Sequence, residues 1–375
     1  MVFSRRVSTR IQPYFGHRSR TRLTLSARAL RQPPATFETT SRWQAMRTML
    51  RQFASREVPG VAVRLVIEGA NGPLLDTAAT SDGEGYVHFD VALDPPWDLP
   101  EYPLWEQAHL HWTTPEGAQQ VDAHVLAPGR AGGLAIISDI DDTIVETGIT
   151  GGLRNVVRNW RRVFAELPQE RVAVPGADTF YGELGGGSDT GDETRGAEHM
   201  PATRRPFFYV SSSPWNLFAY LVAFMRVKGL PLGPITLRDW GLNRATFGSS
   251  SHGEHKSAAI DAILAMHPEL RFALIGDDTQ GDLPAFARAA AAWPERVAAV
   301  FIRKAAAEDF SSEERAAEAA LKAAGIPLWL GQTYDEGHDF LRAIGVTPGG
   351  ETEQIVRVVE KVAAEDEQAD GSPAG

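Results

Sequence analysis

The chain of 375 residues contains no cysteine. That excludes a thiol nucleophile, a thiolate metal site, an iron–sulfur cluster and a disulfide scaffold. Long apolar runs are missing as well. Stretches such as Leu134–Ile137 and Val297–Ile302 fall far short of the ~18 residues that a membrane-crossing helix needs. Met1–Phe15 holds arginines and polar residues without the apolar stretch that a signal peptide carries behind its basic start. The expectation is a cytoplasmic chain without a transmembrane segment. Acids are scarce at the start: residues 1–56 hold twelve arginines and one acid, Glu38, although the net charge of the whole is −11. A basic arm on an acidic body points to an anionic partner, or to arginines that are solvated and partly neutralise the rest. What is present is ordinary for a globular protein with a real core, 43% hydrophobic and 23% charged residues. The length suits two domains.

The region 1–130 reads as β-rich. Arg22–Leu30 alternates apolar and polar residues as a half-buried strand does. Further strands are predicted at Val61–Glu68, Leu74–Thr80, Gly85–Leu93 and Ala108–Thr113, separated by turn signals such as Asp82-Gly83 and Asp94-Pro95-Pro96. A helix is expected from Ser41 to about Ser55. Strands at this spacing suggest a sandwich of immunoglobulin or transthyretin-like type. Trp97, Trp105 and Trp112 are assigned to its core or edge.

Over 131–345 the rhythm changes to strands alternating with helical patterns, the signature of a parallel α/β sheet. Its strands are predicted at Leu134–Ser138, Phe207–Val210, Ile235–Leu237, Phe272–Ile275 and Val297–Ile302. Leu153–Leu167 carries an apolar stripe at helical spacing, with Arg154, Arg158, Arg161 and Arg162 on the opposite face. Gly182–Gly196 reads as a flexible acidic loop. Residues 346–375 read as an acidic tail, expected to be disordered apart from a helix at Glu353–Ala364.

The chemistry gathers at strand ends. Ile136-Ile137-Ser138 runs straight into Asp139, Asp141 and Asp142, followed by Thr143. In an open α/β sheet ligands bind in the crevice at the carboxyl ends of the strands. Carboxylates packed there repel one another, so a divalent cation such as Mg²⁺ is the natural offset. A second apolar strand ends in Ser211, Ser212 and Ser213; Lys256 opens a helix; a third strand ends in Asp277-Asp278, with Asp282 shortly after. Singly each has a plain structural explanation, as a helix cap, a solvated lysine or a turn. Together they are what phosphoryl transfer needs. Metal bound by Asp139, Asp141, Asp277 and Asp278 would neutralise charge. Ser211, Ser212 and Lys256 would bind the phosphoryl oxygens. Asp139 would act as nucleophile, Asp141 as general acid and base, and Thr143 would orient the motif. The histidines show no metal-ligand spacing; His252 and His255 line the approach to Lys256.

Asp139-Ile140-Asp141-Asp142-Thr143 resembles the DxDxT motif of the haloacid-dehalogenase (HAD) superfamily, with Ser211, Lys256 and Asp277-Asp278 as its later motifs in order. More narrowly, Ser138–Ile144, Tyr209–Trp215 and Gly276–Asp282 resemble the actin-patch-type phosphatidate phosphatases. Ser212 and Asp278-Thr279 depart from that family's pattern, where Asn and Ser-Gly are usual. The resemblance implies a HAD-like sheet with a small cap drawn from residues 147–205, preceded by the sandwich. It also implies Mg²⁺-dependent hydrolysis of phosphatidate to diacylglycerol. The partner implied is a lipid phosphate at an anionic membrane surface, reached peripherally through the Arg154–Arg162 helix face or the basic arm. Nucleic acid is not expected, because basic–aromatic interleaving is absent from the α/β part. A phosphatase for soluble phosphomonoesters or phosphoproteins stays open, as does a binding protein that senses phosphate without turnover. Retention of both Asp139 and Asp141 speaks against the last.

Overall fold

The structure is a computed structural model. It describes residues 8–31, 56–69, 72–141, 143–144, 173–187, 200–238, 252–305 and 309–346. The helices expected at Ser41–Ser55, Leu153–Leu167 and Glu353–Ala364 lie outside the described residues, as does Asp142.

Eight strands form the first sheet: β1 (Arg10–Pro13), β2 (Gly16–Arg18), β3 (Arg22–Leu30), β4 (Ala62–Gly69), β5 (Gly72–Thr80), β6 (Tyr86–Ala92), β7 (Leu104–Thr114) and β8 (Gly117–Ala127). The hydrogen-bonded order is β1-β3-β2-β8-β7-β4-β5, with β6 on the far edge of β3. All pairs are antiparallel except β2 with β8. Strand alternation does the sorting: in β4, Val63, Leu65 and Ile67 are buried while Arg64 and Glu68 face out. Leu23, Leu25, Val87 and Phe89 meet Val63, Leu65, Leu110 and Val125 in one core. Where a sandwich was expected, the strands form one continuous hydrogen-bonded sheet. β1, β2 and β8 were not predicted, because β1 and β2 are only four and three residues long and the apolar face of β8 rests on Val121, Ala123 and Val125.

Six parallel strands form the second sheet: β9 (Leu134–Asp139), β10 (Phe207–Pro214), β11 (Ile235–Arg238), β12 (Arg271–Asp277), β13 (Val297–Arg303) and β14 (Leu328–Gly331). Their order is β11-β10-β9-β12-β13-β14. Helices α1 (Ala177–Gly185), α2 (Phe218–Val227), α3 (His252–Met266), α4 (Asp282–Ala292), α5 (Ser312–Ala323) and α6 (Tyr334–Ala343) accompany it. Ile136, Phe207, Tyr209, Ile275 and Phe301 pack with Phe180, Tyr181, Phe224 and Leu341 on one face. Ala135, Ile137, Phe208, Leu274 and Val300 pack with Ile260, Leu264, Phe286 and Leu321 on the other. Burial on both faces explains why these strands read as continuous apolar runs. The chain builds outward from β9 through β10 to β11, then returns to the other side of β9 for β12. That reversal opens the ligand crevice at the carboxyl end of β9. The loop expected to start at Gly182 instead begins as the last turn of α1, where Phe180, Tyr181 and Leu184 bury one face of the helix.

The sheets share a packed boundary. Tyr14 lies 4.4 Å from Trp215 and 4.9 Å from Phe218, ring centroid to centroid. Trp105, expected in the core or at the edge of the β-rich region, stands on β7 and packs with Leu126 in the second core, whereas Trp112 and Trp97 belong to the first. Four arginines of the basic start pair with acids among the described residues. Arg18 pairs with Glu106, Arg20 with Asp98, Arg22 with Asp90 and Arg28 with Glu57.

Candidate active site

β9 delivers Asp139 at its carboxyl end, and the chain runs on through Asp141 to Thr143. Because β9 is flanked by strands and covered by helices, these polar groups are buried: Asp139 is 3% exposed and Thr143 0%. β10 brings Ser211, Ser212 and Ser213 alongside, and β12 brings Asp277. Lys256 comes from the first turns of α3 and is 1% exposed; Asp282 opens α4 and is fully buried.

Two constellations form. In the first, Lys256 Nζ lies 2.9 Å from Asp139 Oδ1 and pairs more closely with Asp282 Oδ1. Asp282 Oδ2 accepts the backbone N–H of Asp277 at 3.0 Å. The Thr143 hydroxyl donates to Asp277 Oδ2 at 3.0 Å and reaches Asp139 Oδ2 at 3.4 Å. Thr279 caps the other oxygen of Asp277 with its N–H at 2.6 Å and with its hydroxyl. Tyr334 OH in turn donates to the Thr143 carbonyl at 2.9 Å. In the second constellation, Asp141 accepts Ser211 Oγ on Oδ2 at 2.6 Å and Ser213 Oγ on Oδ1 at 2.9 Å.

Burial penalises charge, and like charges nearby add to the penalty. Burial pushes the Asp139 carboxyl well above the usual range, opposed by Lys256 and reinforced by Asp282, Asp277 and Asp141. Asp277 is pushed up to about 7 by burial and by Asp282, against Lys256 and the Thr279 hydrogen bonds. Burial acts to lower the Lys256 ammonium, but Asp139, Asp282 and Asp277 outweigh it and hold the group above its ordinary value.

Among the described residues, Asp139, Asp277 and Asp282 offer carboxylate oxygens that lie within 4.8 Å of one another. Three buried carboxyl groups stand against one ammonium, and ionising all three leaves an excess of negative charge that burial makes costly. Hard oxygen donors in that state suit a divalent cation. Two residues expected as metal ligands put their carboxylates elsewhere. Asp141 is taken by the serine hydroxyls, and Asp278, half-buried, accepts the backbone N–H of Ala305 at 2.8 Å. Asp282 completes the cluster instead. Its signal was its position, five residues after Asp277 at the mouth of a helix. Ser213 was legible only as a neighbour of Ser211; strand alternation turns both toward Asp141. Ser212 is buried beside them, and His255, next to Lys256, is half-buried with its pKa lowered by burial.

Known proteins resemble this chain in the same region. The family described as "Phosphatidate phosphatase APP1, catalytic domain" matches residues 134–304. The phosphatidate phosphatase APP1 of Saccharomyces cerevisiae is 33% identical over 268 residues, covering 68% of this chain. An uncharacterized protein of Schizosaccharomyces pombe is 28% identical over 172 residues, or 46% of this chain. The chain spans only 40% and 25% of the lengths of these two relatives. Among solved structures, a β-glucuronidase of Parabacteroides merdae aligns over 79% of this chain and 33% of its own, at 9% identity and a TM-score of 0.24. A match that loose carries no argument about fold or function. Residues 134–304 belong to the family of APP1-type phosphatidate phosphatase catalytic domains.

Proposed function

We propose that the protein is a Mg²⁺-dependent phosphatase of HAD type that hydrolyses a phosphomonoester, phosphatidate to diacylglycerol in the first instance, through a phosphorylated Asp139. The observation that carries this reading is the convergence of Asp139, Lys256 and Asp277 at one crevice, within the segment that matches the family. Residues 131–345 would hold the chemistry, with a small cap from the segment after β9, and 1–130 would form an accompanying sandwich-like domain.

Asp139 and Asp277 would hold the metal, with Asp282 completing the carboxylate cluster from its pairing with Lys256. The bound cation would supply charge neutralisation between nucleophile and phosphoryl group. The remaining steps belong to side chains of this chain. An Asp139 oxygen attacks phosphorus, and the phosphorus–ester oxygen bond breaks with its electron pair on the leaving oxygen. Protonated Asp141 gives that oxygen a proton, releasing the alcohol. Asp141, now a carboxylate, takes a proton from water as the water attacks the same phosphorus. The bond to Asp139 then breaks, freeing phosphate and restoring both aspartates. Lys256, 2.9 Å from Asp139 Oδ1, would steady the charge on Asp139 and on the transferred group.

A lipid headgroup would meet the protein at a membrane surface. No helix among the described residues is long and apolar enough to cross a membrane, so a cytoplasmic chain would approach peripherally.

The test is phosphate release from phosphatidate in mixed micelles, with and without Mg²⁺, beside a panel of soluble phosphomonoesters. The expected result is release from phosphatidate that needs Mg²⁺ and drops at least about 10³-fold in Asp139→Asn, as loss of a nucleophile requires. Release from soluble esters alone would keep the mechanism and remove the lipid. No release from any ester by a folded, metal-loaded protein would overturn the reading.

A further inference from the structure

The second constellation contains a residue that the reaction scheme does not use. Ser211 and Ser213 both lie at the carboxyl end of β10, two positions apart, and both hydroxyls reach Asp141. All three side chains are buried, at 0%, 8% and 9% exposure. Ser211 is fully committed: its oxygen accepts the Ser213 N–H at 2.9 Å while its single proton goes to Asp141 Oδ2. Ser213 donates to Oδ1 at 2.9 Å, with Oδ2 at 3.2 Å. One donor on each oxygen fixes both the swing and the twist of the carboxylate.

A hydroxyl has one proton to give. When Ser211 donates it to a phosphoryl oxygen, Asp141 Oδ2 is released, and that is the oxygen then able to face the leaving group. The bond from Ser213 to Oδ1 then still ties the carboxylate to β10. We infer that Ser213 is a positioning residue for Asp141: it keeps the general acid aimed at the leaving oxygen while Ser211 is engaged by the phosphoryl group. The inference rests on the phosphatase reading above and assigns to the third serine of Ser211-Ser212-Ser213 a role distinct from phosphate binding.

The role predicts a dependence on the leaving group. An alkoxide, as from phosphatidate, must be protonated as it departs; p-nitrophenolate departs without help. General acid catalysis contributes ~10²–10⁴-fold where it is needed. kcat/KM reports the steps through the first departure, so it isolates this transfer from the later attack of water. The experiment measures kcat and KM for wild type, Ser213→Ala and Ser213→Thr on dioctanoyl phosphatidate in micelles and on p-nitrophenyl phosphate. Ser213→Ala is expected to lose at least about tenfold in kcat/KM on phosphatidate, mostly in kcat, and less than about threefold on p-nitrophenyl phosphate. Ser213→Thr, which keeps the hydroxyl, is expected to recover most of the loss. Equal losses on both esters would make Ser213 a merely structural residue, and no loss on either would make it irrelevant; both overturn the inference alone. A wild type inactive on both esters would overturn the phosphatase reading, and this inference with it.

Discussion

Gly276, the residue before Asp277, carries no side chain because Asp282 occupies the space where one would lie. A Cβ built there would stand 2.7 Å from the Asp282 Cγ and 2.6 Å from its Cβ, and no rotamer change relieves the second contact. Asp282 must come that close to reach both the Asp277 N–H and Lys256. Gly276→Ala is therefore expected to displace Asp282, and Lys256 with it. Misplacement of about 1 Å at a reacting centre costs ~10²-fold, and overpacking of a buried site costs ~1–3 kcal/mol. Phosphate-release kinetics and urea unfolding of the variant check both figures; wild-type values would show that Asp282 has room to move. The carboxylates and the lysine were legible as residues. Which of them pair was not, since nothing in local spacing says that Asp282 and Lys256 face each other from separate helices while Asp278 turns to Ala305.

Elements succeed or fail on signals of their own. α5 is held at its start by a reciprocal cap, in which Ser311 Oγ accepts the Glu314 N–H at 3.2 Å and Glu314 Oε2 accepts the Ser311 N–H at 2.7 Å. Ser311→Ala is expected to cost ~1 kcal/mol, read as a shift of the urea midpoint with unchanged phosphate release. A shift in activity would mean that α5 communicates with the crevice. The strands that were legible carry either alternation, as Arg22–Leu30 does, or a continuous apolar run, as Phe207–Val210 does. β14 offers only Leu-Trp-Leu-Gly, too short a pattern to separate from a loop. α1 was masked by the glycines that end it.

Across the whole molecule, the two sheets meet through a histidine pair. His17 Nδ1 lies 2.9 Å from His267 Nε2, and both rings pack against Phe208. Burial holds His17 well below the ordinary imidazole range, with His267 adding to it. Burial likewise lowers His267, with Glu269 opposing and Arg296 assisting. In the unfolded chain both rings take up protons below about pH 6.5; in the folded chain they do so only at lower pH. Their contribution to stability is thus complete above that pH and is lost as pH falls toward the depressed folded values. The slope reaches at most ~1.4 kcal/mol per pH unit for each ring. Urea unfolding of wild type and His17→Gln between pH 7 and 5 checks this. The variant keeps a donor to His267 and is expected to lose part of the slope; identical slopes would place the proton uptake elsewhere.

The alternation in Arg22–Leu30, the parallel character of the second sheet with five of its strands, and the placing of aspartates, serines and a lysine at strand and helix ends follow from the sequence by itself. They depend on local patterning and on residue types whose chemistry is the same wherever they stand. Tertiary structure decided which groups became neighbours. It drew Asp282 rather than Asp278 to Lys256, gave Asp141 to two serines, moved Trp105 into the second core and closed the boundary between the sheets around Tyr14 and His17. Those outcomes depend on contacts between positions far apart in the chain, whose distances are set only when the apolar faces close.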